Sequence, residues 1–240
     1  MPERHPGRRG QYETLSMKQK KALYEQFATF FSENKRALFD RLAPLRTRHI
    51  CVVLEDIYQS HNASAVLRSC DCFGVQDVHV VEKTNPFNPA GDVAVGSSKW
   101  VDYYRYTSTA DAYKALREQG YRIVATLPHE RDTLIGDLDI SQKTALVFGT
   151  ELTGLSAEAV EMADGYVKIP MYGFTESFNI SVCAALSLFS LTERMRAAEG
   201  LRWQLGEEEL VDLKLHWAVQ VVRDGENVLK KLAESLQIQN

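Results

Sequence analysis

Four short runs rich in β-branched residues constrain this chain more than any other feature. Segments whose apolar residues recur at helical spacing separate them. Strands of this composition are typical of sheets covered on both faces, and alternation of strands with helices predicts a mostly parallel sheet with right-handed crossovers. The runs are residues 50–54, 78–81, 122–125 and 145–148, and the predicted helices between and after them are 60–73, 109–119 and 156–163.

Helical segments extend this α/β core at both ends. Two amphipathic helices are expected from Met17 onward, and Pro44 is expected to end the second. The tail from Glu207 again shows helical spacing, interrupted by Asp224-Gly225. We therefore divide the chain into a basic arm with N-terminal helices at 1–48, a core at 49–200 and a C-terminal helical extension at 201–240.

One further helix is predicted over 179–198. It carries no charged residue before Glu193. We expect it to be buried on most sides.

Charge is distributed unevenly along the 240 residues. The net charge is −4, yet residues 1–50 hold 11 Lys and Arg against 5 Asp and Glu. Such a basic segment is found in proteins that bind polyanions, and equally on a solvated helix face.

No stretch reaches the roughly 18 apolar residues of a membrane span, and a signal-peptide core is lacking. We therefore expect a cytoplasmic protein without membrane contact. The four cysteines show no zinc spacing and are expected to be reduced and buried, and no metal site is indicated: Cys51, Cys70, Cys72 and Cys183.

Several common catalytic patterns are missing. A dinucleotide-binding GxGxxG does not follow any predicted strand, and the glycines at 149 and 154 lack the Lys-Ser/Thr of a phosphate-binding loop. Neither HExxH nor GxSxG occurs. These gaps disfavour ATPase, metalloprotease and common hydrolase chemistry.

Three polar clusters instead follow predicted strands, at the edge where open α/β sheets bind ligands. The first, EDIYQSHN, leads into the helix that carries Arg68; Asn62 in it fits an N-cap equally well. The second is FGTELTGL at 148–155, and the third is IPMYGFTESFNISV at 169–182. Helix capping by Ser177 or Asn179 explains only part of the third cluster.

Taken together, NxxxxxR, FGxExxGL and IPMxGxxxSxNxSVxxA resemble the TrmH branch of the SPOUT superfamily, S-adenosylmethionine-dependent RNA 2′-O-ribose methyltransferases. The resemblance spans about residues 50–198. It implies an α/β SPOUT fold with a C-terminal trefoil knot. It also implies an S-adenosylmethionine pocket formed by Thr126, Gly149, Glu151, Ile169, Met171 and Phe178.

The resemblance assigns activation of the 2′-hydroxyl to Arg68, supported by Asn62, Glu151, Ser177 and Asn179. A guanidinium stays protonated at neutral pH and is a poor general base. Arg68 can instead pair with the neighbouring phosphate while another group or water takes the proton. The identity of the proton acceptor stays open.

Members of this superfamily generally act as homodimers, and the helix from Asn179 is expected to supply the interface. IPMYGFTES and GSSKWVD at 96–102 look most like tRNA enzymes that methylate guanosine 18 in the D-loop. The expected partners are therefore tRNA and a second copy of the chain, with no other protein partner indicated. Methylation of ribosomal RNA by the same fold and a non-catalytic knotted RNA-binding protein are the alternatives.

Overall fold

The structure is a computed structural model that describes Tyr12 and residues 14–87, 96, 99–127 and 133–235. The described chain divides into two compact units. The first is residues 47–203, and the second joins 204–235 to the described residues before 47.

A seven-stranded parallel sheet forms the centre of the first unit. Its strands are β1 (Ile50–Glu55), β2 (Asp77–Val81), β3 (Asp102–Tyr106), β4 (Arg122–Thr126), β5 (Thr133–Leu134), β6 (Thr144–Phe148) and β7 (Gly165–Lys168). Their spatial order is β3-β2-β1-β6-β4-β7-β5. The α/β fold with a parallel sheet is confirmed, and the trefoil knot stays a prediction of the resemblance. Strands β1, β2 and β6 are buried at every position, as their β-branched sequences predict.

Among the described residues, four helices connect the strands or follow them: α3 (Ser60–Phe73), α4 (Thr109–Glu118), α5 (Ala157–Glu161) and α6 (Ile180–Ala197). Gly74 and Gly120, with φ of 76° and 81°, follow α3 and α4, where glycine commonly ends a helix. The alternative that Asn62 serves as the N-cap of α3 is wrong. The cap position is Gln59, and Asn62 lies in the first turn of the helix.

Helix α6 packs its buried face against α3. Most residues of α6 are buried or half-buried, as expected, while Val182, Leu186 and Phe189 form one exposed apolar stripe at helical spacing. Among the cysteines, Cys51 and Cys70 are buried as expected, whereas Cys72 is exposed.

The second unit joins both ends of the chain. Its helices are α1 (Met17–Ala28), α2 (Glu33–Leu42), α7 (Glu207–Val221) and α8 (Gly225–Ser235). Helix α1 packs along α7, so the N-terminal and C-terminal helices of the chain cover one another's apolar faces. Lys20 is buried there and pairs with Glu208 and Asp212 at 2.8 and 2.9 Å. None of the described helices is long and apolar enough to cross a membrane.

Candidate active site

The three polar clusters of the sequence meet at the carboxyl edge of the sheet. They follow β1, β6 and β7, which the parallel topology brings to the same edge. The described residues line two cavities there, and both belong to the first unit. They share the turn that follows β6 and the first residue of α6.

The larger cavity, called here the donor cavity, has a volume of about 430 Å³. A volume of this size suits a cofactor-sized ligand. All six residues expected to form the S-adenosylmethionine pocket line it: Thr126, Gly149, Glu151, Ile169, Met171 and Phe178. Sequence reasoning missed Leu127, Ile135, Cys183 and Ser187, which also line it. Cys183 and Ser187 lie four residues apart on α6 and therefore on the same face of the helix. This helical spacing is the sequence signal that could have identified them.

The turn at 149–154 needs glycine at both ends. Thr150 and Gly154 exchange backbone hydrogen bonds of 3.0 Å, and Gly154 adopts a φ of 69°. At Gly149, a Cβ atom would lie 2.2 Å from the carbonyl carbon of Gly154 and 2.4 Å from the nitrogen of Leu155. The backbone therefore occupies the space that a side chain would need, and the turn brings Glu151 to both cavities.

A hydrogen-bonded cluster joins residues from all three sequence clusters. The amide nitrogen of Asn179 donates to a carboxylate oxygen of Glu151, and also to Oδ1 of Asn62 at 3.2 Å. Oδ1 of Asn179 accepts the backbone N–H of Ser181 at 2.9 Å, so Asn179 caps α6 as considered from the sequence. Both the nitrogen and the oxygen of the Asn179 side-chain amide therefore form hydrogen bonds within the protein. We call Asn62, Glu151 and Asn179 the amide–carboxylate cluster.

The other two predicted catalytic residues are not part of this cluster. Ser177 borders the donor cavity. Arg68 lines neither cavity; it is exposed on α3 and makes no hydrogen bond or ion pair with the described residues. Its six-residue separation from Asn62 turns it about 240° around the helix, which explains why the two side chains face differently.

A buried carboxylate supports the turn from behind. Glu55, at the end of β1, accepts the backbone N–H and hydroxyl of Ser156 at 2.8 and 2.7 Å. It also accepts the Thr109 hydroxyl at 2.6 Å and lies 3.1 Å from the Lys83 ammonium. Burial raises the pKa of the Glu55 carboxyl, but these hydrogen bonds outweigh it, and the pKa lies below its ordinary value. Glu55 thus ties the end of the β6 turn to β1.

Replacing Glu55 by glutamine is expected to lower the free energy of unfolding at neutral pH by about 2 kcal/mol, since charge-assisted bonds are lost. A lowered pKa in the folded state means that the Glu55 contribution is present above the unfolded value of about 4.5 and disappears as pH falls below it. Urea unfolding at a series of pH values should therefore show a shallower acid decline in Glu55→Gln.

Glu158→Gln is the matched control, because Glu158 contacts the same Lys83 ammonium from a half-exposed position. We expect it to change stability by less than about 0.5 kcal/mol. An equal loss in both variants, or an unchanged acid decline in Glu55→Gln, would contradict this role for Glu55.

Known proteins resemble the chain closely over this region. Residues 49–189 match the model of the SpoU rRNA Methylase family. The tRNA (guanosine(18)-2′-O)-methyltransferase of Borreliella burgdorferi is 44% identical over 195 residues, which cover 81% of this chain and 89% of that protein.

Solved structures agree with the sequence relatives. The TrmH/SpoU tRNA modifying enzyme of A. aeolicus matches with a TM-score of 0.70 and 29% identity, over 80% of this chain and 98% of that one. The SpoU methyltransferase AviRb of Streptomyces viridochromogenes, solved in complex with the cofactor AdoMet, matches with a TM-score of 0.58 and 25% identity, over 66% and 62% of the two chains.

Proposed function

The chain belongs to the SpoU rRNA methylase family, and from this membership we propose that it methylates the 2′-hydroxyl of a ribose in tRNA, at guanosine 18 of the D-loop, with S-adenosylmethionine as donor. The 44% identity to a tRNA (guanosine(18)-2′-O)-methyltransferase over most of both chains supports this substrate. One geometric observation carries the reaction type: Glu151 borders the donor cavity and is held by the amide that also holds Asn62.

The residues of the donor cavity fit the proposed cofactor. Ile169, Met171 and Phe178 supply apolar surfaces for an adenine ring, and the close turn at Gly149 presents backbone groups rather than side chains. The hydroxyl of Ser187 is buried in the cavity wall, one helical turn from Cys183, which also lines the cavity.

The bound cofactor would supply a methyl group on a positively charged sulfur. The chain must then hold the ribose hydroxyl next to the donor cavity and assist the loss of its proton. The amide–carboxylate cluster is suited to the first task, since its members restrain one another. Arg68 is suited to binding the adjacent phosphate, because it is exposed and has no partner among the described residues.

Mass-spectrometric mapping of methylated nucleotides tests this function. The purified full-length protein is incubated with labelled S-adenosylmethionine and either unmodified tRNA transcript or ribosomal RNA. We expect 2′-O-methylguanosine at position 18 of tRNA. Label in ribosomal RNA alone would overturn the substrate, and donor-free binding of tRNA without any label would indicate the non-catalytic alternative.

The basic arm is proposed to bind tRNA phosphates. It falls mainly on residues 1–11, which lie outside the described residues. Within the helices, Lys21 pairs with Glu207 and Arg36 with Glu25, while Lys20 is buried with its two carboxylates. These three cations are already paired with carboxylates, and we assign the phosphate contacts to the arginines of the arm.

Removal of residues 1–11 is expected to weaken tRNA binding about tenfold at moderate salt and to flatten its salt dependence, with donor affinity unchanged. The truncation keeps buried Tyr12 and the Ser16 cap of α1, so the helix should remain folded. Filter binding across a salt series and calorimetry with the donor measure the two affinities. Equal tRNA affinities with and without the arm would exclude this contact.

We propose that two copies of the chain associate, in the cytoplasm, through the exposed stripe on α6. Val182, Leu186 and Phe189 leave an apolar surface without a charge before Glu193, which is typical of interface cores. We expect Leu186→Asp to sediment as a monomer and the parent chain as a dimer. Leu45→Asp, at an exposed leucine of the second unit, is the control and should leave the dimer intact.

A further inference from the structure

We propose that the smaller of the two cavities holds the guanine base of the nucleotide whose ribose is methylated. We call it the base cavity; it lies between segment 56–59, the pair Thr84 and Asn85, and the turn at 150–153. This inference rests on the proposed function and adds to it a site that selects the base. No residue in segment 56–59 or 84–85 belongs to the expected donor or catalytic set.

The position of the base cavity relative to the donor cavity suits an acceptor nucleotide. Both cavities are lined by Glu151, Thr150, Thr153 and Ile180, and Asn62 of the amide–carboxylate cluster lines the base cavity. A nucleotide whose base lies here therefore has its sugar near the residues that border the donor. The volume of about 290 Å³ suits one nucleotide base rather than an extended ligand.

Two side-chain amides in the wall each use one of their two polar atoms in a hydrogen bond within the protein. Oε1 of Gln59 accepts the amide of Asn62 at 3.0 Å, which leaves the NH₂ group of Gln59 without a partner among the described residues. Nδ2 of Asn85 donates to the backbone carbonyl of Asp56 at 3.1 Å. Oδ1 of Asn85 therefore also has no partner among the described residues. The internal bonds orient both amides, so the cavity presents one fixed donor and one fixed acceptor.

This pair complements the Watson–Crick edge of guanine. Guanine presents the O6 acceptor next to the N1–H and N2–H₂ donors, whereas adenine presents an N6–H₂ donor in place of O6. The free NH₂ of Gln59 matches O6, and the free oxygen of Asn85 matches the N2 amino group. With adenine, the Gln59 donor would face another donor, so the cavity discriminates between the two purines.

The wall that carries Asn85 is held rigidly by Asp56. A carboxylate oxygen of Asp56 accepts three consecutive backbone N–H groups, from Lys83, Thr84 and Asn85, at 3.2, 2.7 and 2.8 Å. Asp56 itself has a φ of 54°, a left-handed conformation that costs free energy in a non-glycine residue. At the rim, Tyr58 is 78% exposed, and its ring offers a surface on which a base can stack.

Methylation kinetics on three full-length tRNA transcripts test the inference: the transcripts carry guanosine, inosine or adenosine at position 18. Inosine lacks the N2 amino group. For Asn85→Ala we expect kcat/KM on the guanosine transcript to fall about tenfold or more, with a much smaller fall on inosine. Gln59→Glu keeps the acceptor for Asn62 but loses the donor, so guanosine should lose more than adenosine.

Donor affinity and melting temperature are measured on the same variants, and both should match the parent chain. Gln142→Ala is the matched control, since this exposed residue lies before β6, at the opposite edge of the sheet from both cavities. Two results would overturn the assignment of the base cavity to guanine: parent-like kinetics of both variants on guanosine, or equal losses on all three transcripts. In either case the activity of the parent chain would still support the proposed function. Lost donor affinity would instead assign the cavity to the donor. If the parent chain methylates none of the transcripts, the proposed function itself fails.

Discussion

Arg68→Ala is expected to lower kcat for tRNA methylation about 10²- to 10³-fold while the donor Kd stays unchanged. Arg68 is exposed and lines neither cavity, so its loss leaves the donor cavity intact. An exposed guanidinium is suited to pairing with a phosphate. Single-turnover methylation and calorimetry with the donor separate the two effects.

Two further variants sharpen the Arg68 test. Arg68→Lys keeps the charge but loses the two-pronged geometry of the guanidinium, so we expect partial activity. Arg202→Ala removes another exposed cation of the first unit and should retain full activity. Near-normal turnover of Arg68→Ala would refute its catalytic role, and a parallel loss of donor affinity would assign it to the fold.

Gly149→Ala is expected to reduce donor affinity at least about 100-fold and to destabilise the protein by about 1–3 kcal/mol. The added Cβ would lie 2.2 and 2.3 Å from the carbonyl carbon and oxygen of Gly154. Both contacts are with backbone atoms, so only a shift of the whole turn relieves them. That shift moves the cavity wall and Glu151 together.

Gly136→Ala provides the matched control for this substitution. A Cβ at Gly136 meets no atom within 4 Å, and the residue lies in the short 3₁₀ turn at Ile135–Asp137, beside the donor cavity. We expect its donor affinity and melting temperature to remain close to those of the parent chain. Unchanged donor affinity in Gly149→Ala would show that the turn is not part of the donor site.

The sheet and its helices were predictable where local pattern and burial agree. The four β-branched runs became β1, β2, β4 and β6, and the helix predicted at 60–73 has those bounds. Strand β3 was not predicted, because Asp102 and Arg105 interrupt its sequence DYYRY. Their charges are paired only in the folded protein, by Arg48 at 2.6 Å and Glu82 at 3.1 Å. Strand β7 begins at a glycine and spans only four residues, too short for a clear period.

The sequence by itself determined the parallel α/β core, the edge of the sheet that carries polar loops, and the family. Buried strands and helix-ending glycines follow from interactions within a few residues, and polar clusters after strands define the edge. Only the tertiary structure decided that one Asn179 amide joins Asn62 and Glu151, 117 and 28 residues away. It also decided that Arg68 lies outside both cavities and that α6 exposes an apolar stripe. These features depend on contacts between distant segments. The local spacing of apolar residues does not indicate which segments the sheet brings together.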